Sequence, residues 1–101
     1  MTHVLKIWPK YFNDIESGAK TFEVRKNDRM FDVGDYLILR SFDPDKQAYT
    51  GEILVVHVDY VLFPGSDCIP DAIHQDYVVL GIQVMALPPS SMAVIHGLIK
   101  D

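Results

Sequence analysis

Glu52-Ile-Leu-Val-Val-His-Val-Asp-Tyr-Val-Leu-Phe63 decides the fold class. Leu54, Val56, Val58, Tyr60 and Leu62 recur at every second position, with His57 and Asp59 between them. A period of two is the pleat of a strand with one buried face. The run is too short, and too interrupted by His57 and Asp59, to cross a bilayer as a helix. The pattern returns from Tyr77 to Met85, where Val78, Leu80, Ile82 and Val84 are expected to face inward. Leu54, Val56, Val58, Val78, Leu80 and Ile82 are therefore the expected centre of the core, because a one-residue slip would expose the whole set.

Outward from these strands the chain alternates three more times. Tyr36 to Phe42 reads as a strand, entered through Phe31-Asp-Val-Gly-Asp35, where Gly34 suits a tight turn of positive φ. Asp43-Pro44-Asp45 opens a polar connection that runs through Tyr49-Thr-Gly51. From Lys20 to Lys26, Phe22 and Val24 point one way and Thr21, Glu23 and Arg25 the other. Asn27 and Asp28 make a turn. His3 to Trp8 is a short strand with His3, Leu5 and Ile7 on one face and Lys6 on the other. Pro9 suits the first position of a helix, Tyr11, Phe12 and Ile15 line one helical face, and Gly18 ends it. Pro64 to Asp76 reads as a loop with a helical turn around Ala72. After Pro88-Pro89, Met92 to Ile99 is apolar enough to pack as a C-terminal helix or to serve a protein partner. The expected fold is mostly β (α+β), a small barrel of five to six strands with one early short helix. It spans residues 1–87, followed by a tail over 88–101. Barrel closure would remove the exposed sheet edges.

Composition narrows the function classes. A chain of 101 residues, 49% apolar and 23% charged, suits one globular domain. Its one cysteine, Cys68, excludes an internal disulfide and a multi-cysteine zinc site and fits a reducing compartment. Met1 to Pro9 lacks the apolar run of a signal peptide, so a soluble, cytoplasmic protein with no membrane association is expected. Net charge is −5, yet residues 1–29 hold six bases against four acids, and residues 30–101 three bases against ten acids. An anionic ligand is therefore expected on the N-terminal third.

Within that third, Gly18-Ala-Lys-Thr-Phe-Glu-Val-Arg-Lys-Asn-Asp-Arg29 concentrates the charge. Glu23 and Arg25 share a strand face, and Lys20 begins the strand outside the regular pleat. A lysine beside a carboxylate there can hold an anion, polarise a carbonyl or, with a lowered pKa, act as a base. Lys20, Arg25, Lys26, Asn27, Arg29 and Tyr11 are the expected anion- or nucleic-acid-binding residues, and Lys20 with Glu23 the catalytic pair if the protein is an enzyme. As exposed ion pairs these would contribute roughly 0–1 kcal/mol to stability. Trp8, Tyr11, Tyr49, Tyr60 and Tyr77 offer stacking faces to bases, although tyrosine is also a common barrel-wall residue. His3, His57, His74 and His96 lack metal-ligand spacing, Cys68 has no activating neighbour, and Ser90-Ser91 belongs to no nucleophile elbow. No glycine-rich phosphate loop is present. No cofactor or metal is expected.

Six ordered motifs carry a family resemblance: His3-Val-Leu-Lys-Ile-Trp-Pro-Lys-Tyr-Phe12, the segment Gly18 to Arg29, Val33-Gly-Asp-Tyr-Leu-Ile-Leu39, Phe42-Asp-Pro44, Tyr49-Thr-Gly51 and Tyr77-Val-Val-Leu-Gly-Ile82. Over residues 3 to about 85 the chain resembles a family of small bacterial and phage proteins of unknown function with an ASCH-like, PUA-like fold. The resemblance implies a PUA-like β-barrel with a cleft beside the first helix and RNA-linked roles. One branch of the superfamily is similar in fold to an amidohydrolase that deacetylates N4-acetylcytidine, and other members are described as ribonucleases. Gly18-x-Lys20-Thr21 matches the superfamily's glycine-lysine-threonine signature, which implies that Lys20 lines the cleft. The threonine used by the deacetylating branch aligns with Glu23 here, and Pro64 to Asp76 has no clear counterpart to that branch's catalytic-glutamate loop.

These readings rank three functions. The first is an RNA- or nucleotide-binding module using Lys20 to Arg29. The second is a hydrolase on a modified nucleoside or on RNA. The third is a phage accessory module that meets a protein through its tail, its acidic body mimicking nucleic acid.

Overall fold

A computed structural model describes residues 1–65 and 71–99. Five strands and two short helices follow in the order β1 (Thr2–Ile7), α1 (Pro9–Glu16), β2 (Phe22–Lys26), β3 (Tyr36–Asp43), β4 (Ala48–Leu62), β5 (Tyr77–Val84) and α2 (Met92–Leu98). A turn of 3₁₀ helix, Pro89–Ser91, leads into α2. The strands form one curled sheet in the order β1-β3-β4-β5-β2, a half-barrel in which only the β1–β3 pair is parallel.

The alternation read from β4 and β5 builds the core. Val56, Val58, Val78 and Leu80 are fully buried, Ile82 nearly so, and Leu54 packs against them. Leu5 and Ile7 of β1, Leu37 and Leu39 of β3 and Phe12 and Ile15 of α1 complete the cluster. Pro9 starts α1 where its missing N–H costs nothing. Gly18, at φ 85°, reverses the chain, and the Lys20 amide then donates to the Asp14 carbonyl at 2.9 Å. Lys20 is thereby fixed just outside β2. At the far end His3 is buried, its Nε2 2.8 Å from Asp35 Oδ2, while the Asp32 amide donates to the same carboxylate oxygen.

Several expectations need correction. Tyr60 does not join the inward face. Val58 lies opposite Ile82 and Tyr60 opposite Gly81, so Asp59 is the extra residue of a β-bulge. Past the bulge the pleat inverts: Tyr60 is 63% exposed, and Val61 packs against the core instead. Val84, beyond the last core pair, is 39% exposed. The polar connection after Asp43 is shorter than read, because β4 begins at Ala48. The Asp43 carboxylate accepts the amides of Asp45 and Lys46, and Gln47 takes a positive φ, so the chain turns within four residues and Tyr49 already pairs with Phe42. Ala72 lies in a bend and not in a helical turn. Cys68 lies outside the described residues.

The barrel is also open. β1 and β2 are the two edges of the sheet and share no backbone ladder. Two arginines bridge the gap: Arg25 Nη2 donates to the Lys6 carbonyl and Arg29 Nη1 to the Val4 carbonyl, each at 2.8 Å. Residues 4 and 6 of a strand direct their carbonyls to the same edge, so two side chains occupy successive acceptors that a sixth strand would have used.

Candidate anion-binding groove

The opening between the β1–α1 corner and β2 forms a groove of about 630 Å³. Its position follows from an inversion in β2. Phe22 and Val24 face outward and are half exposed, whereas Glu23 faces Leu80 and is 4% exposed. Burying a carboxylate in that position is costly unless it is paired. Lys20 Nζ donates to Glu23 Oε1 at 2.6 Å, and Arg25 Nε donates to Glu23 Oε2 at 2.8 Å. The side chains of Lys20 and Arg25 are only 18% and 24% exposed, so this is a half-buried triad and not the exposed ion-pair cluster that spacing suggested. Arg25 also donates through Nη2 to the Lys6 carbonyl. One guanidinium thus holds both the carboxylate and the seam.

Aromatic faces surround the triad. The Lys20 ammonium sits 4.8 Å from the Tyr11 ring centroid and 5.3 Å from that of Phe22. Trp8, more than half exposed, and Tyr77 complete the lining with Lys6 and Lys26. Among the described residues neither Lys6 nor Lys26 has a carboxylate partner. Glu23 is the one acid in the lining, and two cations already occupy it. The groove therefore offers a net positive, aromatic-walled surface, suited to a ligand that is both planar and anionic.

Of the residues expected at the site, Lys20, Glu23, Arg25, Lys26 and Tyr11 come together here. Asn27 and Arg29 do not line the groove. The Asn27 amide donates to the Asp76 carbonyl, tying the strand end to the β5 approach. Arg29 turns back over β1 and lines a second pocket of about 110 Å³, which shares Arg25 and Lys26 with the groove and adds Leu5, Asp28 and Phe31. Sequence reasoning missed Lys6, Phe22 and Val24. Alternation gave no signal for them, because it does not say which face of β2 turns inward. His57 and Asp59 pair outside the groove, Nδ1 to Oδ1 at 2.5 Å, as do His74 and Asp76 at 3.8 Å.

The family model described as a domain of unknown function, DUF3850, matches residues 2–82. The chain belongs to the DUF3850 family. The match begins with β1 and ends within β5, so every residue of the DUF3850 groove lies inside it. No curated protein matches the chain. Among solved structures, the crystal structure of hypothetical protein PH0355 is similar in fold, with a TM-score of 0.54 at 17% identity over 84% of this chain and 100% of that one. Likeness at that identity concerns the fold alone.

Proposed function

We propose that this DUF3850 chain is an ASCH/PUA-like module, residues 1–87 with a tail over 88–101, that binds RNA or a nucleotide in the cytoplasm through the groove between α1 and β2. The observation that carries the reading is the Lys20–Glu23–Arg25 triad set among Trp8, Tyr11 and Phe22. Glu23 fixes the two cations rather than meeting a phosphate itself, since two anions repel. Lys20 and Lys26 then meet phosphate oxygens, and the rings receive a base.

Binding of fluorescently labelled single-stranded RNA across a salt series tests it. Log affinity should fall linearly with log salt concentration. Lys26→Ala, which disturbs no internal ion pair, should weaken binding and reduce the slope by about one. Lys20→Ala and Arg25→Ala should do the same in protein confirmed as folded. No binding at low salt, or binding indifferent to all three changes, would refute the reading.

A hydrolytic role for Lys20 and Glu23 on a modified nucleoside is the second reading. The 2.6 Å lysine–carboxylate contact beside an open groove favours it. Deacetylation of N4-acetylcytidine, lost in Lys20→Ala, is the measurement that decides.

A further inference from the structure

The groove does not end at Lys6. This residue lines it, and its ammonium reaches outward to lie 4.0 Å from the Phe42 ring centroid and 5.7 Å from that of Tyr49. Arg40, opposite Lys6 in the β1–β3 ladder, stacks its guanidinium 3.7 Å from the same Tyr49 ring. Phe42 and Tyr49 meet edge to face across the β3–β4 ladder, centroids 5.1 Å apart. Four side chains from three strands thus form one basic and aromatic patch on the outer face of the sheet. Beyond it Arg40 and Tyr49 also line a pocket of about 240 Å³ that reaches His96 near the chain's end. Tyr49 is 41% exposed and flanked by cations.

We infer that this patch is a second subsite, which carries a single-stranded RNA out of the groove, past Lys6 and over the Tyr49 ring. The inference rests on the proposed function of the groove and names its ligand as a strand rather than a mononucleotide. Lys6 belongs to both surfaces, so a phosphate beside it links the two. The patch repeats the chemistry of the groove, cations placed against aromatic faces, which is what a backbone-tracking, base-stacking surface needs. It also carries Arg40, one of only three bases in the otherwise acidic stretch of residues 30–101.

A length series tests it. Labelled RNAs from a mononucleotide to about ten nucleotides should bind the wild-type protein with affinity that rises until both subsites are spanned. Tyr49→Leu keeps apolar bulk beside Phe42 and removes the stacking ring. It should weaken the longest RNA about tenfold and leave a mononucleotide unaffected. Arg40→Gln should act in the same direction, and melting temperatures report whether either variant stays folded. Affinity that does not rise with length, or a Tyr49→Leu loss equal for short and long ligands, overturns the subsite while the groove reading stands. Long RNAs that depend on Tyr49 but not on Lys20, Arg25 or Lys26 would overturn the groove and keep the patch. Absence of any RNA binding overturns both.

Discussion

Arg25 and Lys6 belong to the two strands that close no ladder with each other, and the Arg25 guanidinium joins them by donating to the Lys6 carbonyl at 2.8 Å. The same guanidinium supports the buried Glu23 carboxylate, so the groove's ion-pair triad and the seam of the sheet share one side chain.

Arg25→Ala should therefore cost more than an exposed ion pair would. It leaves a nearly buried carboxylate with half its partners, at a cost of about 1–3 kcal/mol. Chemical denaturation measures this. The double change Arg25→Ala with Glu23→Ala should be less destabilising than the two single costs added, because no uncompensated charge remains. A single-variant cost within experimental error of zero would show that water reaches Glu23 freely.

The bulge at Asp59 predicts opposite outcomes at adjacent residues. Val58→Asp puts a charge among core side chains and should unfold the protein, and Val61→Asp, at a partly buried position packed on the core, should lower the melting temperature markedly. Tyr60→Asp changes a residue on the solvent side and should leave the melting temperature within a few degrees. Uninterrupted alternation would instead make Tyr60 the sensitive position and Val61 the tolerant one.

Acid should loosen the His3 end of the barrel. Burial raises the pKa of Asp35, but hydrogen bonds from His3, the terminal amine and the Asp32 amide outweigh it and lower the value from 3.8 to about 2. A carboxyl depressed on folding stabilises above its unfolded pKa, and that contribution is lost as pH falls through the folded one. Stability should thus decline between pH 3.8 and about 2, and Asp35→Asn should remove this part of the acid limb while lowering stability at neutral pH. An unaltered acid limb in Asp35→Asn would exclude the assignment.

Gly34, at φ 94°, donates its amide to the Val58 carbonyl, and a Cβ added there meets no atom within 4 Å. Gly34→Ala should destabilise by about 1–2 kcal/mol through backbone strain alone. RNA affinity of the folded protein should be unchanged. Lost binding at normal stability would relocate the site.

Ser41 is fully buried at the β3 irregularity, and its hydroxyl has no hydrogen-bond partner among the described residues. Ser41→Ala should raise stability by up to about 1 kcal/mol, because an unsatisfied polar atom leaves the interior. A lower melting temperature would reveal a hidden partner.

The five strands, the early helix and the Val56, Val58, Val78, Leu80 and Ile82 core were legible because a period of two over long strands permits few solutions. The placement of Lys20 outside the pleat was legible too, since Gly18 marks where the helix must end. The bulge was not: Asp59-Tyr60-Val61 keeps the polarity rhythm of an uninterrupted strand, and the extra residue shows only in the pairing with Gly81. The facing of β2 was equally hidden. Alternation separates Glu23 from Phe22 and Val24 but does not say which set faces in, and burial of Glu23 depends on two cations supplied from outside and within the strand. Expecting a closed barrel treated edge removal as a matter of backbone alone, whereas here side chains do part of it. Asn27 and Arg29 were grouped with the groove by nearness in sequence; the turn after Lys26 puts Asn27 against Asp76 and Arg29 in a second pocket that shares Arg25 and Lys26 with the groove.

The arginine-bridged seam bears on how the chain behaves in company. A free strand edge is a template on which other chains add strands and begin to aggregate. In β1 the outward carbonyls of Val4 and Lys6 are already taken by guanidinium groups, and bulky charged side chains stand where an incoming strand would have to lie. Losing both arginines would therefore convert a protected edge into an adhesive one, with self-association rather than unfolding as the first visible symptom.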